Sequence, residues 1–248
     1  MKESHTKNSI IGMIPARSGS KRIKNKNIMP LNGHPLIAYT IAAAIKSGVF
    51  DKIIVSTEKE TIAKIAKHYG AEIPFLRPKE YARDDSPDIQ WIKYTLEELK
   101  KGCETYTYFS ILRPTNPFRQ ANTIKRAWEI FEKDEKADTL RAIEKCSQHP
   151  GKMWRIENNR IKPILENPNK ETTPWHSMPY QELPEIYIQN ASLEISKTRN
   201  PLEKGKITGE EILPFVTIGY EGFDINLPED WFLAEYLVDK GLATLPEI

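Results

Sequence analysis

The stretch Ser9-Ile-Ile-Gly-Met-Ile-Pro-Ala-Arg-Ser-Gly-Ser-Lys-Arg-Ile-Lys-Asn-Lys-Asn27 decides the fold. Residues 9–14 form a short apolar run bounded by turn residues, which reads as a buried strand. The turn that follows, 15–27, carries Arg17, Lys21, Arg22, Lys24 and Lys26. With Lys7 and Lys46 these are the charged residues between Ser4 and Phe50, a span without one Asp or Glu. Open α/β sheets bind ligands at the carboxyl edge of their strands, so the turn is the expected ligand loop and a polyanion the expected ligand. Gly19, flanked by Ser18 and Ser20, lets backbone N–H groups face an oxyanion, and several cations on one loop suit a triphosphate. The turn has neither GxxxxGK[ST] nor GxGxxG, which argues against P-loop kinases and dinucleotide enzymes. A merely solvated basic loop is the plainer reading. Its place after a buried strand and the lack of acids weigh against that.

Outward from this turn, the first 145 residues alternate β-branched runs with stretches of helical period. Strands are expected at 52–56, 106–112 and 139–144, and helices at 36–47, 60–69, 89–101 and 123–134. Gly48 and Gly70 act as helix stops. This βαβαβα rhythm predicts a doubly wound, mostly parallel sheet with helices on both faces. It breaks over 147–187, where six of the chain's 18 prolines fall together with Trp154 and Trp175. A connection this long is expected to be an arm that packs on something, with a partner subunit the natural candidate. Strands near 185–196 and 215–225 and a helix at 228–240 resume the pattern. Tyr187 and Ile188 read as core.

The 248 residues suffice for one large α/β domain or two small ones, and at this size roughly three quarters of the unfolded surface can be buried. A net charge of +2 argues against general nucleic-acid affinity. Cys103 and Cys146, the two cysteines, form neither a CxxC nor a Cys/His cluster, so no disulfide framework or zinc site is expected. No apolar run approaches a membrane span and the first residues lack the core of a signal peptide, so a cytoplasmic protein is expected. His5, His34, His68, His149 and His176 lack partners at metal or nucleophile spacing and read as structural.

The stretch 14–27 resembles the signature loop of the CMP-nonulosonate synthetases, the acylneuraminate cytidylyltransferase family. Segments similar to the family recur in order at Pro35-Leu-Ile-Ala-Tyr-Thr-Ile41, Ile54-Val-Ser-Thr-Glu58, Phe75-Leu-Arg-Pro-Lys-Glu80, Leu112-Arg-Pro-Thr-Asn-Pro-Phe-Arg119 and Phe223-Asp-Ile-Asn226. The resemblance spans nearly the whole chain. It implies a single Rossmann-like domain of the nucleotide-diphospho-sugar transferase kind, with 147–187 as a dimerisation and substrate arm. It implies a homodimeric enzyme that joins CTP to a sialic-acid-like sugar and releases pyrophosphate.

Residue by residue, the resemblance places Arg17, Ser20, Lys21, Lys26 and Asn27 on the triphosphate, with Arg17 and Lys21 as catalytic cations beside Asp224. Charge that builds on a departing pyrophosphate needs preorganised cations. Arg77 and Asp88 belong near the pyrimidine, with the backbone of 77–88 reading the cytosine edge. Asp85 or Ser86 has the alternative reading of an N-cap ahead of Pro87. Arg113, for which many relatives have Gln, is expected at the base or sugar. Asp224 and Asn226 are expected to alternate in a strand on one face and hold Mg²⁺, the hard cation a triphosphate requires. Relatives often have Asp at both places. A role for Asp224 in the turn before Pro228 is the alternative. Lys152 matches a lysine near the sugar carboxylate, and Gln181, Gln189 and Asn190 are expected around the acidic sugar. Arg22 stands where the family usually has Gly, and Ile188 at about the place of an arginine in sialate-specific members. A different acceptor, such as Kdo or a sugar phosphate, and a non-catalytic nucleotide-binding relative stay open at this stage.

Overall fold

The computed structural model describes residues 8–248, so Lys7 and His5 lie outside the described residues. In chain order the elements are β1 (Ile10–Pro15), β2 (Pro30–Leu31), β3 (His34–Pro35), α1 (Leu36–Ser47), β4 (Lys52–Ser56), α2 (Glu60–His68), α3 (Asp88–Lys101), β5 (Tyr108–Ile111), α4 (Ala121–Lys133) and β6 (Thr139–Lys145). There follow β7 (Trp154–Glu157), β8 (Arg160–Pro163), β9 (Tyr187–Lys197), α5 (Arg199–Glu203), β10 (Ile212–Val216) and α6 (Pro228–Asp239).

Strand alternation in β1 explains why the sheet is covered on both sides. Ile10 and Ile14 pack with Ile37 and Ile41 of α1 and with Ile124 and Phe131 of α4. Ile11 and Met13 face the other way, onto Trp91, Ile92, Leu96 and Leu99 of α3. Each of these buried β1 side chains contributes about 1.5–3 kcal/mol relative to exposure. Helix α1 is buried nearly all round, as an inner helix must be, and ends where Gly48 takes φ 63°, with its N–H returning to the Ile45 carbonyl at 3.1 Å.

The six-stranded sheet has the order β10-β6-β9-β5-β1-β4. β1 lies parallel to β4 and to β5, with Pro15 opposite Ser56 and Met13 opposite Ile111, while β5 and β9 are antiparallel. The sheet is mixed, as expected mostly parallel at its centre. The chain runs from β1 to β4 on one side and then to β5 on the other. The order reverses between β1 and β5, the switch point where such sheets open a crevice at the strand ends.

Two expectations fail. The strand foreseen over 215–225 stops at Val216, and 217–226 is irregular, crossed by two tight turns around Gly219 and Gly222. Tyr187 and Ile188 are 42% and 50% exposed rather than core: the first three residues of β9, which belong to the smaller of two compact units, are exposed, and burial begins with Ser192. Two hairpins are additional. One joins β2 to β3 through Asn32 and Gly33, and the other joins β7 to β8 through Asn158 and Asn159, with all four turn residues at positive φ.

The chain divides into two compact units, one of residues up to Ala142 with Asn190–Ile248, the other Ile143–Gln189. The smaller unit holds the β7–β8 hairpin and a ring of short turns around His149. That imidazole accepts from Gly151 N at 2.9 Å, meets the Pro184 carbonyl at 3.1 Å and packs edge-on to Trp175. Among the described residues no helix is long and apolar enough to cross a membrane.

Candidate active site

The basic turn is held at several points of the larger unit. Ala16 N donates to the Ser56 carbonyl at 2.9 Å, continuing the β1–β4 ladder. The Ser18 N–H and hydroxyl both donate to Glu58 Oε1, at 2.8 and 2.5 Å. Asn25 adopts the left-handed conformation and turns the chain into Lys26, while the buried Asn27 amide donates to the Arg17 carbonyl at 3.0 Å. Ile23 is buried in the middle of the charged run, in a cluster with Ile225, Trp231 and Leu237. One apolar anchor thus fixes the cations beside the segment that carries Asp224.

Lys26 closes that link: its Nζ donates to the Ile225 carbonyl at 2.5 Å. Burial lowers its pKa, with Arg22 and Arg17 acting in the same direction and Asp224 opposing. Arg17 Nη1 lies 2.6 Å from Asp84 Oδ1, and Lys21 Nζ lies 2.7 Å from Asp84 Oδ2. The Lys21 hydrogen bond is the chief cause that holds the Asp84 carboxyl below its ordinary range. Close as it is to Asp84, Arg17 Nη1 makes no aligned hydrogen bond.

A second group of charges stands across from the turn. Arg77 is buried, donates to the Ser56 hydroxyl and carbonyl at 2.9 and 2.8 Å, and lies 4.8 Å over the Trp91 ring. Burial pulls its pKa down to about 10, against Glu58 and Asp88. Asp88 accepts from Trp91 Nε1 at 2.8 Å and from Arg113 Nη2 at 2.5 Å. Burial pushes the Asp88 carboxyl up, but Arg113 outweighs this and holds it low. Neither Asp85 nor Ser86 caps α3, whose N-cap is Pro87. Asp85 pairs loosely with Arg83 at 3.6 Å, and Ser86 Oγ donates to the Glu80 carbonyl.

Beneath this group Arg119 is wholly buried and donates to Thr40 Oγ1, the Arg113 carbonyl and the Ser192 carbonyl. It ties the segment after β5 to α1 and β9. Burial lowers its pKa to about 9, with the charge of Asp224 opposing.

Asp224 and Asn226 flank the buried Ile225, whose N–H donates to the Thr115 carbonyl at 2.9 Å. The two side chains meet on one face, Asn226 Nδ2 donating to Asp224 Oδ2 at 2.6 Å. This expected pairing arises without a strand: the Ile225 bond to Thr115 and the buried Ile225 side chain hold the segment in place. Asp224 Oδ1 is buried and lacks a hydrogen-bond partner. Among the described residues no three His, Cys, Asp or Glu gather to hold a metal alone. A free carboxylate oxygen beside an amide fits a cation that takes its other ligands from water and phosphate, the ordinary habit of Mg²⁺.

These residues surround one cavity of about 380 Å³ at the carboxyl edge of the sheet. Pro15, Arg17, Ser20, Lys26 and Asn27 line it from the first turn, and Arg113, Pro114 and Thr115 from the segment after β5. Arg77, Asp88, Ala191, Asp224 and Asn226 complete it. Four cations against two carboxylates make it a site for an anion.

Lys21 is not on this lining; its side chain, 78% exposed, turns to Asp84. Asn190 bonds Thr217 and Ser192 instead, though its neighbour Ala191 lines the cavity. Lys152, Gln181 and Gln189 belong to the smaller unit. There the Lys152 ammonium donates to the Met178 and His176 carbonyls at 2.6 and 3.3 Å, while Gln181 and Gln189 are exposed. Sequence reading missed Glu58, Asp84, Thr115 and Arg119. All four stand within segments singled out above, yet nothing in the spacing told what they would grip.

A family model described as cytidylyltransferase matches residues 11–200. The chain is 33% identical over 248 aligned residues to a CMP-N,N'-diacetyllegionaminic acid synthase of Legionella pneumophila, covering 95% of this chain and 99% of that protein. The chain belongs to the CMP-nonulosonate cytidylyltransferase family. As a nucleotidyltransferase it is also similar to a pseudaminic acid cytidylyltransferase of Campylobacter jejuni, 36% identical over 60% of this chain and 64% of that one. The fold of this cytidylyltransferase matches that of a CMP-2-keto-3-deoxy-manno-octonic acid synthetase solved with CTP. The TM-score is 0.65 at 13% identity, covering 94% of this chain and all of the other.

Proposed function

We propose that this cytidylyltransferase activates a nonulosonic acid with CTP. The anomeric hydroxyl oxygen of the sugar bonds to the α-phosphorus, the bond from that phosphorus to the β-bridging oxygen breaks, and the hydroxyl proton passes to water. The products are the CMP-sugar and pyrophosphate. The observation that carries this reading is the acid-free basic turn folded against Asp224 in one cavity at the switch point of the sheet. The names of the relatives support the same substrates.

In this reading Arg17, Ser20, Lys26 and Asn27 bind the triphosphate from the lining, and Lys21 reaches it from the rim. Positive charge held in place before the bond breaks favours the transition state over the bound substrate. Arg77, Asp88 and Arg113 form a braced wall for the nucleoside, already hydrogen-bonded and costing little reorganisation. Asp224 and Asn226 would hold Mg²⁺, which when bound neutralises triphosphate charge. Lys152, Gln181, Gln189 and Asn190 are assigned to the acidic acceptor. The smaller unit exposes Ile156, Ile161 and Ile164 at 78%, 61% and 56%, which supports a homodimer formed through it. The two free cysteines suit a reducing cytoplasm.

The deciding assay is pyrophosphate release from CTP and Mg²⁺ with a panel of legionaminic, pseudaminic and N-acetylneuraminic acids. Release with at least one is expected. Folded protein that releases none with any acid overturns the reading, and release only with Kdo or a sugar phosphate moves the acceptor to another class.

A further inference from the structure

The cations that the reaction needs for its leaving group already have an anion. One carboxylate, Asp84, stands 2.6 Å from Arg17 and 2.7 Å from Lys21, using a different oxygen for each. It comes from outside the basic turn, from the loop between the 3-10 turn Lys79–Ala82 and α3. The two arms differ in an instructive way. Lys21 is mostly in solvent, so its ion pair forms and breaks freely. Arg17 Nη1 is buried and lacks an aligned acceptor despite its closeness to Asp84. A phosphate oxygen in the cavity, which Arg17 lines, would satisfy that N–H better than the carboxylate does.

We propose that Asp84 is an internal counter-anion that competes with pyrophosphate for Arg17 and Lys21 and so sets how readily the leaving group departs. This rests on the cytidylyltransferase reading above. A turn with five cations and no acid of its own binds a triphosphate well but also retains the diphosphate product. When Asp84 is in place, a fraction of the protein has these cations occupied, and the apparent affinity for any polyphosphate falls by that fraction. As pyrophosphate loosens, Asp84 takes over the cations it leaves and spares two like charges from facing each other bare. Asp84 is therefore a positioning residue, acting through Arg17 and Lys21 and touching no substrate.

The test is calorimetric titration of the full chain with inorganic pyrophosphate, with and without Mg²⁺, for wild type, Asp84→Asn, Asp84→Ala and Asp85→Asn. Asp85 is the control: the same charge change one residue away, on a carboxylate whose pairing is with Arg83. Both Asp84 variants are expected to bind pyrophosphate about threefold to tenfold more tightly, with product inhibition strengthened by the same factor and an unchanged melting temperature. The gain should shrink at high salt, and Asp85→Asn should show little of it. Binding by the Asp84 variants that is weaker than or equal to the Asp85 control refutes the role, since Asp84 then merely braces the turn. A wild-type chain that binds no pyrophosphate instead removes the underlying cytidylyltransferase reading.

Discussion

Asp224→Ala separates what the cavity needs for chemistry from what the fold needs for stability. The wild-type carboxylate makes one hydrogen bond, from the exposed Asn226 amide, and its buried Oδ1 makes none. Losing one such bond costs about 1 kcal/mol, and removing an unsatisfied oxygen offsets part of that. In a chain of this size the melting temperature then moves by less than about 4 °C. Turnover has a different magnitude. Loss of a preorganised charge at the reacting phosphate is expected to cost about 10³-fold, near 4 kcal/mol of barrier. Asp224 also moderates Lys26, Arg113 and Arg119, each of which feels its charge. Without it the cavity is more positive, so CTP in the absence of Mg²⁺ should bind at least as tightly as to wild type, while the gain from adding Mg²⁺ disappears. Scanning fluorimetry, pyrophosphate release and calorimetry with and without Mg²⁺ measure the three quantities. A melting temperature lower by more than about 10 °C, or an intact response to Mg²⁺, refutes the reasoning.

Two further expectations concern the frame around the sheet. The Arg199 hydrogen bond at 2.5 Å, helped by the Glu210 N–H, holds the Asp138 carboxyl down to about 2, below its unfolded value of about 3.9. Its stabilising contribution is therefore complete above about pH 5 and is lost as pH falls from about 4 to 2, so in thermal melts the gap between wild type and Asp138→Asn should close over that window. A gap that widens on acidification contradicts this. Gly209→Ala would drive a Cβ into Asp138 Cβ, at the root of that side chain rather than its free end. It should cost about 2–4 kcal/mol in urea unfolding, and an unchanged midpoint would show that the loop yields freely.

Much of the frame was legible because burial writes a period into the sequence. The apolar run of β1 and the helical spacing of α3 and α4 survive in the residues themselves, and the acid-free turn lines the cavity after β1. What could not be read was decided by contacts between distant segments. Asp224 and Asn226 share a face through one bond to Thr115 and through Ile225 packed on Ile23, neither of which leaves a local signal. Asp84 looked like one acid in a polar run, and its partners lie more than sixty positions earlier in the chain. The β2–β3 and β7–β8 hairpins are too short for periodicity, though their Asn-Gly and Asn-Asn turns are the residues that positive φ demands.

The smaller unit leaves the sheet from β6 and rejoins it at β9, and these strands are immediate neighbours. A segment whose two ends enter at adjacent rungs can be lengthened, trimmed or exchanged as a cassette while the ladder beneath keeps its register. Both ends of the cassette join the frame on the side of β5 away from the β1–β4 ladder. Descent with modification can therefore rework the inserted unit and leave the β1–β4 ladder untouched.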